Sequence, residues 1–259
     1  MQRSASYSLI FATLVCFVCA VVVSLSAVSL KDLQDTNADL DKQKNVLIAA
    51  GLATEDEVLT AEEVAERFAP IESVVIDLET GEELEDVDPS GFDQLQRSMD
   101  PTTSRSAPEN PARVQRLPNE ALVYKMTDDQ GLQLLILPVE GKGLWSTLYG
   151  FLALDRDLTT IRGITFYQHK ETPGLGGEVD NPKWKGLWPG RKAFNENDEL
   201  AIQVIRGQAG TAQDDPHRVD GLSGATMTSR GVSSLVRFWL GEHGFGTYVE
   251  KLKNEGQVG

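Results

Sequence analysis

The chain has 259 residues and carries 39 Asp and Glu against 24 Lys and Arg, a formal net charge of −15. That balance excludes a surface built to track nucleic-acid phosphates, which needs a basic excess, so no nucleic-acid partner is expected. The two cysteines, Cys16 and Cys19, both lie in an N-terminal apolar run, so the rest of the chain cannot hold a disulfide framework, an all-cysteine metal site or a cysteine nucleophile.

That run, Leu9 to Leu30, reads LIFATLVCFVCAVVVSLSAVSL, without a charge or a proline. At ~1.5 Å per residue, about 22 residues cross the ~30 Å hydrocarbon core of a bilayer, which predicts a transmembrane helix over 9–30. Arg3 is the one charge before it, and Lys31, Asp32 and Asp35 follow. The positive-inside rule then puts residues 1–8 in the cytoplasm and the bulk of the chain across the membrane. A cleaved signal peptide is the rival reading, with Leu25-Ser26-Ala27 as a weak cleavage site. Signal h-regions run to only about 7–15 residues, which favours a retained anchor. The C-x-x-C spacing of Cys16 and Cys19 has no βαβ context and reads as two small apolar residues on a helix.

Residues 31–70 read as a helical segment. Leu33–Ala50 forms a helix closed by Gly51, and Thr54 with Glu57 makes a capping box for a second helix running to about Phe68. Val58, Leu59, Ala61, Val64, Ala65 and Phe68 give that second helix an apolar face for core packing. A strand follows at Ile71–Leu78. From 79 to 118 acidic residues, prolines and serines dominate, which reads as an extended arm or long loop wrapped over the domain. Strand candidates then crowd together at Ala121–Met126, Leu132–Val139, Leu148–Leu154 and Ile161–Tyr167, with turns at Gly131 and at Gly141-Lys142-Gly143. Ala201–Arg206 is a further strand candidate, and helices are expected at Pro182–Leu187 and Thr228–Gly241. The fold class is α+β: one N-terminal transmembrane helix, then a domain over 71–259.

Three segments carry chemistry. Asp220 to Gly231, DGLSGATMTSRG, runs into a helical pattern with small residues and with hydroxyls at Ser223, Thr226, Thr228 and Ser229. Free N–H groups at a helix start favour an anion, which makes this a phosphate site; the alternative is a plain Ser/Thr cap beside a glycine turn. The second segment, HKETPGLGG (His169–Gly177), is a tight loop whose backbone N–H groups can point at one ligand; a glycine-rich turn without a ligand is its rival. The three histidines, His169, His217 and His243, are scattered without ligand spacing, and no metal site is expected. The third, Gly143-Leu144-Trp145-Ser146, offers Trp145 as a planar apolar wall or as a core residue. Arg206 could neutralise a phosphate or ring charge.

The run Asp220–Thr226 matches Asp-x-x-Ser/Thr-Gly-Ala-Thr, an acceptor motif for a flavin transferase. The chain resembles the C subunits of bacterial sodium-translocating NADH:quinone reductases. LDKQKNVLIAAGL (Leu40–Leu52), GFDQLQRSMDP (Gly91–Pro101), GLWSTLYGFLAL (Gly143–Leu154), HKETPGLGG, NPKWKGLWPG (Asn181–Gly190) and DGLSGATMTS carry the likeness in that order. It is weak across 80–90 and 102–118. The resemblance implies FMN joined covalently through its phosphate to Thr226, one per chain. It implies that Ser223, Gly224 and Ala225 shape the presenting turn and that Asp220 belongs to the transferase signal. From the E-T-P-G-L-G loop it implies Thr172, Leu175 and Gly176 as ring contacts, and the candidate cofactor set also includes Glu171, Trp145 and Arg206. No residue is assigned catalysis. The expected partners are the other subunits of the membrane complex, the flavin transferase and the membrane itself. The expected role is an electron relay, held in the bacterial inner membrane by a single pass with its bulk in the periplasm. The equivalent flavin protein of the related Rnf complex (RnfG), a secreted binding domain and a free-standing flavoenzyme are the alternatives.

Overall fold

The computed structural model describes residues 5–256; Arg3, on which the orientation argument rests, lies outside them. The chain divides into two units, Met1–Lys42 and Gln43–Gly259. The first helix, α1, is continuous from Ala5 to Ala49. In the first unit its side chains are exposed almost throughout, and it is the one helix among the described residues long and apolar enough to cross a membrane. Its last turns, from Gln43 on, belong to the second unit and carry the buried Val46, Leu47 and Ala49.

The second unit is built on an antiparallel sheet. Helix α2 (Ala61–Phe68) precedes strand β1 (Ile71–Asp77). Helix α3 (Gln94–Met99) and the short strands β2 (Ser104–Ser106) and β3 (Arg116–Pro118) follow, then β4 (Glu120–Asp128), β5 (Gly131–Lys142), β6 (Thr147–Asp155) and β7 (Ile161–Gln168). The five-stranded order is β1-β4-β5-β6-β7, so the strand candidates from Ala121 onward pair as consecutive hairpins. Helix α4 (Pro182–Lys185), strands β8 (Gln203–Val204) and β9 (Arg218–Val219), and helices α5 (Thr226–Trp239) and α6 (Gly246–Asn254) complete the chain.

Alternation along the strands sorts the two faces. Leu135, Leu137 and Val139 of β5 and Ile164 and Phe166 of β7 join Val232, Leu235, Val236 and Trp239 of α5 in the main core. Trp239 is fully buried there, and its indole N–H donates to the Glu140 carbonyl at 2.7 Å. On the opposite face a row of rings crosses the sheet: Phe68, Tyr124, Phe151 and Tyr167 follow one another at centroid distances of 5.9, 5.9 and 5.3 Å. The end of α1 packs there too. Thr165 Oγ1 donates to Asn45 Oδ1 at 3.0 Å, and a Cβ on Gly163 would stand 2.5 Å from the Ala49 carbonyl oxygen.

Several expectations change. The second helix begins six residues later than its first Thr-x-x-Glu box suggests: Thr60, not Thr54, is the N-cap of α2, in a capping box with Glu63. The Thr54 N–H does donate to Glu57, whose carboxylate also pairs with Arg67, but the residues between them form a turn and not a helix. Val58 therefore precedes the helix and is 96% exposed, and Val64 is the buried residue of α2. We expect Thr60→Ala to cost about 1 kcal/mol of stability and Thr54→Ala less than about 0.5 kcal/mol, read by chemical denaturation of the two variants. The segment 79–118, expected as an extended arm, holds α3 and the paired strands β2 and β3, and Phe92, Ala112, Val114 and Leu117 are buried in it. Glu83 ties it down, accepting from Lys125 Nζ at 2.9 Å and from the Tyr248 hydroxyl at 2.7 Å. The strand expected over Ala201–Arg206 shrinks to Gln203–Val204, which among the described residues pairs only with the two-residue β9, parallel to it.

Candidate functional site

Three loops at one end of the sheet form the site: the tip joining β5 to β6, the loop after β7, and the turn before α5. They are the three segments singled out in the sequence, and the carboxylate of Glu171 joins them. Its Oε1 accepts from the N–H groups of Trp145 at 2.8 Å and Ser146 at 3.0 Å, and its Oε2 from Leu144 N–H at 3.2 Å. Oε2 also accepts from the hydroxyl of Thr228, in the first turn of α5, at 2.7 Å. Glu171 is 5% exposed, and Thr228 is fully buried. Burial alone would raise the carboxyl's pKa, but the bonds from Thr228, Ser146, Trp145 and Leu144 outweigh it and hold the group below the ordinary carboxylate range.

Two glycines make room for that carboxylate. A Cβ on Gly143 would lie 2.7 Å from Glu171 Oε1, and one on Gly176 would lie 2.6 Å from Oε2 and 2.6 Å from Thr228 Oγ1. His169 braces the loop from the other side, its Nδ1 accepting the Glu171 N–H at 3.1 Å and its Nε2 meeting Asp180 at 2.7 Å. With Nδ1 as acceptor the proton sits on Nε2, so His169 is a loop brace. The loop's own N–H groups are less available than expected: those of Leu175 and Gly177 turn back to the Thr172 carbonyl at 3.1 and 2.9 Å. Thr172 and Leu175 are exposed, and Gly176 is buried beneath them.

The turn before α5 is set from below. The Asp220 carboxylate accepts the Ala209 N–H at 2.9 Å, and its carbonyl accepts the Trp184 indole N–H at 2.8 Å. Gly224 takes φ +70°, open to glycine and strained for other residues, and a Cβ there would meet the Leu175 side chain at 2.9 Å. The turn's hydroxyls separate into two classes. Thr228 is taken by Glu171, and Ser229 is buried, accepting from Leu222 N–H at 3.0 Å and donating to the Ala225 carbonyl at 3.1 Å. Ser223 and Thr226 are exposed.

Helix α5 starts at Thr226, two residues earlier than the sequence pattern suggests, and its N-cap, Ala225, supplies no side-chain hydrogen bond. A plain Ser/Thr cap is therefore not what these hydroxyls provide: the N-cap position gives the first turn of α5 no side-chain hydrogen bond. Trp145, at 68% exposure, is likewise not a core residue. Leu144, Leu175 and Met227 are exposed beside the same three segments. An open helix start, a free-standing hydroxyl and an apolar rim suit a ligand with a phosphate at one end and a flat ring system at the other. Arg206 is exposed on the loop that crosses Gly221, where a Cβ would stand 2.3 Å from the Ile205 carbonyl oxygen, so the chain brings that loop to the base of the turn. Among the described residues no group of His, Cys, Asp and Glu is arranged to hold a metal ion.

Sequence reasoning found the three segments but missed how they meet. Nothing in the spacing of Glu171 and Thr228 marks a bond across 57 positions. Arg191 was also missed: 3% exposed, it donates to the carbonyls of Leu187, Gly210, Thr211 and Asp215 and so fixes the loop leading to β9.

Residues 143–241 match the FMN-binding domain family. Over nearly its whole length the chain is similar to the C subunit of the Na(+)-translocating NADH-quinone reductase of Pseudomonas aeruginosa, at 45% identity over 97% of each chain. The protein of the same name from Yersinia pestis is 43% identical over 96% of this chain and 94% of its own. Among solved structures, Shewanella oneidensis NqrC superposes with a TM-score of 0.75 at 36% identity, covering 84% of this chain and 99% of that one.

Proposed function

This chain belongs to the family of Na(+)-translocating NADH-quinone reductase C subunits, and from that premise we propose that it is an electron relay that carries FMN covalently, through its phosphate, on Thr226. The observation that carries this is the start of α5, where the exposed Thr226 opens a helix that no side chain caps. A phosphate ester on that hydroxyl would place negative charge at the positive end of the helix dipole. Of the four hydroxyls in the turn, Thr228 and Ser229 are buried and engaged, which supports Thr226, the last residue of the acceptor motif, as the site.

When bound, FMN accepts a hydride equivalent and releases electrons singly. The residues of this chain hold and shape. Ser223, Gly224 and Ala225 form the turn that presents Thr226. Trp145, Leu175 and Thr172 supply the exposed rim on which a ring rests, and Gly176 lets that rim approach closely. Arg206 balances negative charge at the base of the turn, and Glu171 organises the whole. The chain has no nicotinamide fingerprint and no iron–sulfur cysteines, so NADH oxidation belongs to other subunits of the complex, whose electron flow is coupled to sodium export. The near full-length likeness to C subunits supports this role over the Rnf and secreted-domain alternatives.

Helix α1 is in this reading a retained single-pass anchor in the bacterial inner membrane over 9–30, with residues 1–8 cytoplasmic and the α+β domain of 71–259 in the periplasm. Its apolar run carries no ionisable side chain of the acidic or basic kind, so it anchors without itself forming an ion path. Full-length protein made together with a flavin transferase should gain the mass of one FMN less water on the peptide containing Thr226, and should not oxidise NADH by itself. Recovery of the chain without that adduct overturns the assignment; NADH oxidation by the purified chain overturns the relay.

A further inference from the structure

Glu171 and Thr228 lie behind the acceptor hydroxyl, in neither case exposed to a ligand, yet between them they bind all three segments of the site. Thr226 is the first residue of α5, and first turns fray when their N–H groups lack partners. Within the turn the first residues of α5 are held by the bonds of Ser229 to Leu222 and Ala225, and what ties them to the rest of the site is the bond from Thr228, the second residue after Thr226, to a carboxylate fixed in turn by three hairpin N–H groups. Two glycines admit that carboxylate and no larger arrangement. The bonds are directional and buried, so the hydroxyl of Thr226 inherits a defined aim.

We propose that Glu171 is a positioning residue for the attachment of flavin to Thr226, acting through the Thr228 hydroxyl to hold the first turn of α5 against the β5–β6 tip. This rests on the reading of Thr226 as the acceptor. In the transfer, Thr226 Oγ1 forms a bond to the phosphorus of a flavin nucleotide activated as a phosphoanhydride. The anhydride P–O bond breaks, a nucleoside monophosphate leaves, and the hydroxyl proton passes to the transferase or to water; nothing is oxidised or reduced. Such a transfer depends on near-attack geometry, so an acceptor free to swing reacts more slowly even when it is fully exposed.

The test uses the full chain in detergent, a flavin transferase and its flavin dinucleotide donor, with incorporation followed by the fluorescence of the denatured protein band and located by mass spectrometry. Thr228→Val keeps the shape and removes the bond; it should slow incorporation at least tenfold. Thr228→Ser restores the hydroxyl and should return the rate to within about twofold of wild type. Glu171→Gln keeps one acceptor oxygen for the hairpin but turns a donor toward Leu144 N–H; it should slow incorporation at least threefold. Val236→Ala, a cavity in the same helix away from the site, should lower the melting temperature and leave the rate unchanged. Wild-type rates in both Thr228→Val and Glu171→Gln, or an equal slowing in Val236→Ala, overturn the positioning role while the acceptor assignment stands. A wild-type chain with no adduct on Thr226 overturns both.

Discussion

Thr226→Val will give a folded chain that carries no covalent flavin. The side chain is exposed, and the helix it opens takes no cap from it, so its removal leaves no buried group unsatisfied. Thr and Val differ little in helix propensity, and the change in stability should stay within about 0.5 kcal/mol. The chemical effect is total, because an ester needs the oxygen. Thr226→Ser keeps that oxygen and should still be labelled, which separates the loss of a nucleophile from a loss of shape. The nearest substitute is Ser223, the other exposed hydroxyl of the turn. An adduct that persists in Thr226→Val and maps to Ser223 would show that the turn is read correctly and the acceptor wrongly.

The second large effect concerns a residue that sequence reasoning passed over. Glu140 sits on β5 opposite Tyr149 of β6, on the face that carries the row of rings. No hydrogen bond joins its carboxyl to another described residue, and burial pushes its pKa up from 4.5 to about 7. Tyr149 and Tyr167 feel its charge: their hydroxyls are raised first by burial and then by Glu140. The sign follows from linkage. The folded state holds this proton more tightly than the unfolded chain, so the group's contribution is fully present below pH 4.5 and is lost as pH rises through about 7. A shift of that size is worth about 3 kcal/mol at pH 8. Glu140→Gln keeps the shape without the charge, so it should be more stable than wild type by about that amount at pH 8, with the advantage shrinking below about 1 kcal/mol at pH 5. Paired urea titrations at the two pH values decide it; an equal difference at both would mean that the carboxyl is already ionised and accommodated. Glu171 runs the other way. Its lowered pKa gives stability that is present above the unfolded value and lost as pH falls through the folded one.

The central strands were legible because alternation and glycine turns mark them locally: Ala121–Met126, Leu132–Val139, Leu148–Leu154 and Ile161–Tyr167 each fall within one strand of the sheet. Local signals failed where two of them competed. Thr54-x-x-Glu57 and Thr60-x-x-Glu63 are equivalent boxes in sequence, and in both the Glu carboxylate bonds back to the Thr N–H; what marks the true cap is that the Thr60 hydroxyl also accepts the Glu63 N–H, while Glu57 shares its carboxylate with Arg67. The arm was illegible in detail because its few apolar residues, Phe92, Ala112, Val114 and Leu117, are buried by tertiary contact without any period of their own. In the site, composition marked the loops, while the Glu171–Thr228 bond depends on where the sheet delivers β7 relative to α5. That is a property of topology, which no window of sequence contains.

The pair of glycines around Glu171 separates two kinds of change that evolution or an engineer can make. Gly143 and Gly176 admit no side chain without expelling the carboxylate, so the frame of the site is closed to variation at those points. Leu144, Trp145, Leu175 and Met227 point outward from the same frame, and Leu144 and Trp145 are held to it by their backbones alone. Retuning of the protein for a different redox partner therefore has four exposed side chains to work with, laid over a frame whose hydrogen bonds do not pass through them.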